Sequence, residues 1–90
     1  MPKIVYADSY VRRAKRFIKL HPDLLRQYEK TLRLLELNPF HPSLRLHKLS
    51  GKRGDLYSVS INISYRITLE LLIREDTIVP VNIGSHDQVY

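Results

Sequence analysis

Between Tyr57 and Leu71 the chain alternates with a period of two. The odd positions read Tyr57, Val59, Ile61, Ile63, Tyr65, Ile67, Leu69 and Leu71; the even ones read Ser58, Ser60, Asn62, Ser64, Arg66, Thr68 and Glu70. Successive side chains of a strand point to opposite faces, so this segment dictates a sheet with one apolar face to bury and one polar face left open. Fifteen residues are too many for one strand of so small a domain, and Asn62 stands where a turn would divide them. A fold-back keeps the apolar parity only if its loop holds an odd number of residues. A three-residue loop at Asn62–Ser64 sets Ser60 opposite Arg66 and Val59 opposite Ile67, with Arg66 on the open face.

The apolar face needs a cover, and the first half of the chain supplies one. "KIVYA", Lys3 to Ala7, favours a short strand. Asp8 or Ser9 is then placed to cap a helix reaching Leu20, with Val11, Ala14, Phe17 and Ile18 on one side and Arg12, Arg13, Lys15, Arg16 and Lys19 on the other. "HPD" restarts the chain with Pro22 in a first turn, and Leu24, Leu25, Tyr28, Leu32 and Leu35 form a second apolar stripe. Asn38-Pro39 ends it, because proline disfavours a helical residue before it. In "SLRLHKL" parity turns Leu44 and Leu46 inward and Arg45 and His47 outward. In "TIVPVNIGSH" it turns Val79, Val81 and Ile83 inward and Asn82 and His86 outward; Pro80 demands an edge or a bulge. The expected fold is α+β in the order β-α-α-β-β-β(-β): a helical hairpin on one face of a mainly antiparallel sheet.

Ninety residues allow one domain, 1–90, with a single core. There is no cysteine for a disulfide or thiolate metal site, and the four histidines lack metal-ligand spacing. Neither a membrane span nor an apolar leader core is present, so the expected location is the cytoplasm, with no membrane partner. Fifteen Lys and Arg against nine Asp and Glu give a net charge of +6, which favours a polyanionic partner.

Parity alone gathers Arg45, His47, Arg66 and His86 on the uncovered face, and the loop "HKLSGKRGD" adds Lys48, Lys52 and Arg53. Two histidines and a set of cations are what cleavage of RNA through its own 2′-OH requires. One group takes the 2′ proton, one protonates the departing 5′-oxygen, and cations stabilise charge building on phosphate. No metal or other cofactor is needed for that chemistry.

The helical hairpin ending in "LNP", then "HKLSGKRGDLYSVSINISYRI", then "VNIGSHDQVY", resembles the RelE/ParE superfamily of type II toxin–antitoxin toxins over essentially the whole chain. The pattern is nearest the RelE/YafQ-like mRNA interferase branch. The resemblance implies an endoribonuclease that stops translation by cutting mRNA in the ribosomal A site and is held in check by a cognate antitoxin, in a heterotetramer or larger complex. It implies that His47 and His86 are catalytic, that Arg66 contacts the scissile phosphate and that Tyr90 stacks on or positions the mRNA. Lys48, Lys52 and Arg53 match a basic loop that grips the RNA backbone, and Arg45, on the same face by parity, is expected to bind RNA with them; Asp87 is a helix or turn cap, a partner that orients His86, or a contributor to the catalysis. An antitoxin's acidic or amphipathic segment would cover either an apolar groove by the helices or the basic face. Several relatives carry a further acid or base on the central strands, where this chain has Ser58, Ser60 and Ser64. Two other readings stay open: a ParE-like toxin that inhibits DNA gyrase without catalysis, and a degenerate member that only binds its antitoxin.

Overall fold

The computed structural model describes residues 2–49 and 56–85. Helix α1, Asp8–Leu20, buries Tyr10, Ala14 and Phe17, which fall on one stripe at spacings of four and three. Its N-cap is Ala7, extended and without a side-chain cap bond, rather than Asp8 or Ser9. Asp8 instead sits in the first turn, where a carboxylate suits the positive end of the helix. The His21 amide closes α1 by donating to the Phe17 carbonyl at 2.9 Å. A 3₁₀ turn, Pro22–Leu24, leads into α2, Leu25–Leu37, which buries Tyr28, Thr31 and Leu35. The Thr31 hydroxyl is satisfied inside the helix by the Gln27 carbonyl at 2.8 Å. Asn38 is extended, as the following proline requires, and its Oδ1 accepts from the Phe40 amide at 3.0 Å.

Five strands form one sheet in the order β1-β5-β4-β3-β2. These are β1 (Lys3–Ile4), β2 (His47–Lys48), β3 (Leu56–Ser60), β4 (Tyr65–Leu72) and β5 (Thr77–Ser85). Among the described residues only β1 runs parallel to its neighbour, β5. The expected two helices on one face of a mainly antiparallel sheet are present, α1 lying chiefly against β5. Val59, Ile67, Leu69 and Ile78 are each 0 % exposed and form the centre of the core with Leu35 and Leu44. No helix among the described residues is long and apolar enough to cross a membrane.

The central hairpin has the register that parity requires, with Val59 opposite Ile67 and Ser60 opposite Arg66. Asn62 builds the loop. Its Oδ1 accepts from the Ser64 amide at 2.9 Å and the Tyr65 amide at 2.8 Å, while the Ser60 hydroxyl donates to the Asn62 carbonyl at 2.6 Å. Ile63, apolar by parity, rides at the loop tip and is 93 % exposed.

Two expectations about parity fail. "SLRLHKL" is not one strand, because Pro42–Leu44 forms a 3₁₀ turn and Arg45 adopts φ 49°, ψ 45°. That left-handed residue takes Arg45 out of the alternation, and the strand begins only at His47. In β5 the inward residues of the first half are Ile78 and Pro80, not Val79 and Val81. A bulge opposite the Thr68/Leu69 step inserts one extra residue, so even parity before it becomes odd parity at Ile83. Pro80 sits beside that bulge, where its missing N–H falls at a break in the ladder. Arg13 of α1 reaches across and donates from Nη1 to the Val81 carbonyl at 2.9 Å, which ties the helix to the bulge.

Candidate functional site

The strand registers fix which side chains share the open face. His47, Ser58, Thr68 and Asn82 stand in one cross-strand row, and Ser60, Arg66 and Gly84 in the next. His47 and Arg66 are two strands and one same-face step apart, so their Cα atoms are separated by roughly 12 Å on sheet spacings. Both side chains are long enough to converge on a group the size of a phosphate from that distance. His47 is exposed on the edge strand; Arg66 is half-buried, with Nε and Nη1 shielded from solvent. A shielded guanidinium acts in a lower dielectric than a surface one, so its pull on a phosphate is stronger.

The other expected site residues separate into three groups. Arg45 is exposed on its left-handed turn, outside the strand row. Lys48 is in β2 but opposite Tyr57, so its parity is that of the helix-covered side. His86, Asp87 and Tyr90, with Lys52 and Arg53, lie outside the described residues. Asn82 keeps its place opposite Thr68, but its Oδ1 accepts from the Ile83 amide at 2.9 Å and it lines a shallow cleft with Arg13, Arg16 and Phe17. His21, to which the sequence assigns no role, is wedged between Phe17 and Tyr65 with ring centroids 4.7 Å from each.

One feature escapes the sequence patterns. Ser58 and Thr68, which read as solvated positions of the polar face, are buried, and neither hydroxyl has a hydrogen-bond partner in the structure. An apolar groove of about 510 Å³ opens between the helices, lined by Tyr6, Tyr10, Val11, Ala14, Ile18 and Leu25 and edged by Lys15 and Lys19. Tyr10 and Tyr28 share a hydrogen bond of 2.8 Å at its floor. Burial pushes the Tyr10 phenol far above its ordinary range, and the adjacent Tyr28 adds to that; burial raises Tyr28 as well. Tyr28 stands in the second apolar stripe read from the sequence, whereas Tyr10 lies outside the first stripe as read and is buried in the structure.

No family model matches the chain, and no curated protein matches it in sequence. Solved structures do. The E. coli DinJ–YafQ complex matches with a TM-score of 0.82 at 15 % identity, covering 100 % of this chain and 99 % of that one. A metal-bound toxin from Helicobacter pylori matches with a TM-score of 0.80 at 22 % identity over 100 % of both chains. The YoeB–YefM complex from Staphylococcus aureus matches with a TM-score of 0.72 at 16 % identity, over 96 % of this chain and 98 % of that one. The chain therefore has the fold of the RelE/YafQ-like toxins from end to end. The resemblance read from its motifs is borne out at the level of the fold.

Proposed function

We propose that this chain is the toxin of a toxin–antitoxin pair and an endoribonuclease that cuts mRNA presented by the ribosome. One observation carries the reading. On a fold shared with YafQ and YoeB, the strand registers bring His47 and Arg66 to the same open face, at a separation that suits a bridging phosphodiester.

In this reading the ribose 2′-oxygen attacks the adjacent phosphorus as its proton passes to a histidine. The P–O5′ bond breaks, and the departing 5′-oxygen takes a proton from a second group, leaving a 2′,3′-cyclic phosphate and a free 5′-hydroxyl. His47 and His86 fill the two proton roles, with Asp87 orienting His86. Arg66 holds the charge that develops on the non-bridging oxygens, and Tyr90 positions the base. Lys52, Arg53 and Arg45 meet the RNA backbone beyond the scissile bond. The nucleophile is the substrate's own hydroxyl, so the proton transfers need no metal ion.

The partner that restrains it is an antitoxin, as the neighbours crystallised as DinJ–YafQ and YoeB–YefM complexes suggest. The apolar groove with Lys15 and Lys19 on its edge suits an amphipathic antitoxin helix with acidic residues flanking its apolar stripe.

Primer-extension mapping of an mRNA in a reconstituted translation reaction tests the cleavage reading. Wild-type protein is expected to give ribosome-dependent cuts. Arg66→Gln should lower the rate about 10²–10³-fold, as loss of a charge-stabilising donor does. His47→Ala and His86→Ala should each lower it about 10²–10⁴-fold. Undisturbed translation together with blocked gyrase supercoiling would overturn this reading in favour of a gyrase inhibitor.

A further inference from the structure

The centre of the open face holds a pair of buried hydroxyls with nothing to bond. Ser58 is 0 % exposed and Thr68 4 % exposed, directly opposite one another on β3 and β4, yet Ser58 Oγ and Thr68 Oγ1 both lack a hydrogen-bond partner. Facing Ser and Thr residues are able to bond one another across the strands. The same fold satisfies its comparable hydroxyls: Thr31 through the Gln27 carbonyl, Ser60 through the Asn62 carbonyl. A valine at 68 would fill the same space, and an alanine at 58 nearly so, without stranding a polar group. Among the described residues the pair is therefore an exception that asks for an explanation, and an acceptor supplied by a ligand is one.

The surroundings say what kind. His47 is opposite Ser58 on one side, and Arg66 is the next same-face residue before Thr68 on the other. Serine and threonine hydroxyls do not ionise near neutrality, so they serve as neutral donors rather than as the missing acid or base of the central strands. Two O–H donors beside a shielded guanidinium match an oxyanion with several acceptor oxygens. We infer that Ser58 and Thr68 form a phosphate-oxygen subsite on the floor of the open face, donating to the non-bridging oxygens of the phosphodiester that Arg66 neutralises. This rests on the RNA-cleavage reading and deepens it. Both hydroxyls are buried, so binding there requires the side chains above them to move aside.

The test separates a binding role from a packing one, because the two predict opposite signs for stability. Ser58→Ala, Thr68→Val, the double variant and Thr68→Ser are compared with wild type in three measurements. These are the melting temperature, the affinity for a fluorescently labelled RNA oligonucleotide 2′-O-methylated throughout so that it is not cut, and cleavage in the translation reaction. The subsite requires that the double variant melt no lower than wild type while losing about tenfold in affinity per hydroxyl. Thr68→Ser should restore most of the loss at 68. Unchanged affinity in the double variant, a wild type that fails to bind the oligonucleotide, or a loss of affinity matched by a lower melting temperature would each overturn it. If wild type binds through the hydroxyls but cuts nothing on ribosomes, the subsite stands and the cleavage reading falls. If the double variant binds and cuts as wild type does, the cleavage reading stands and the subsite falls.

Discussion

Asn62→Ala is the most informative single perturbation of this fold. The Asn62 carboxamide oxygen accepts two backbone amides, those of Ser64 and Tyr65, at 2.9 and 2.8 Å. Each such bond contributes a net of about 0.5–1.5 kcal/mol, so removing both costs about 2 kcal/mol. In a domain this small, 1 kcal/mol moves the melting temperature by roughly 4–8 °C, which puts the expected drop at about 8–16 °C. Asn62→Asp keeps an acceptor in the same place and should lose less than half as much. Circular dichroism melts with urea titrations at one temperature measure both. The loop also sets the register that pairs Ser60 with Arg66, and a slip of one residue would turn Arg66 from the open face to the covered one. On the proposed cleavage reading, activity should therefore fall by more than the unfolded fraction accounts for. A melting temperature within about 2 °C of wild type would refute the account of Asn62 as the register-setting residue.

The Tyr10–Tyr28 pair predicts a specific alkaline response. Burial, then Tyr28 and Tyr6, hold the Tyr10 phenol above its ordinary 10.0, so the folded chain keeps a proton that the unfolded chain releases. The stability this represents is complete below about pH 10 and is lost as pH rises beyond it, by about 1.4 kcal/mol per pH unit for each retained proton. Urea midpoints between pH 10 and 11.5 should fall less steeply in Tyr10→Phe than in wild type; equal slopes would show that Tyr10 is not the group responsible. Arg13→Ala removes the donor to the Val81 carbonyl and should cost about 1 kcal/mol, with amide exchange in β5 accelerating around the bulge. Arg12→Ala, exposed on the same helix, is the control and should leave exchange in β5 unchanged.

The hairpin was legible because one physical rule determines it: a buried face enforces period two, and an odd loop preserves it. The helices were legible for the same reason at a different period. What the alternation missed were the places where the backbone leaves a regular path. Arg45 takes a left-handed turn despite having a side chain that disfavours it, and the bulge at Val81 exchanges inward and outward residues within one strand. Neither leaves a periodic trace, and Pro80 marked the second only as a choice between edge and bulge. At the site, His47 and Arg66 were placed together by strand parity and are found together. Lys48 belongs to the opposite parity, which strand extent decides and a basic run conceals. The burial of Ser58 and Thr68 was invisible, since a serine or threonine on a polar face reads the same whether it is wet or sealed.

The parallel pairing of β1 with β5 also bears on when the fold is completed during synthesis. Lys3 and Thr77 are partners although 74 positions separate them. At about 5–20 residues per second, roughly 4–15 s pass between their appearance from the ribosome. Until β5 emerges, β1 has no ladder and the apolar stripe of α1 has lost its principal support, while the face carrying Arg66 lacks the strand beside it. Pairings this distant also close slowly after the chain is complete. A nascent copy therefore passes a defined interval with its helices exposed and its open face unassembled.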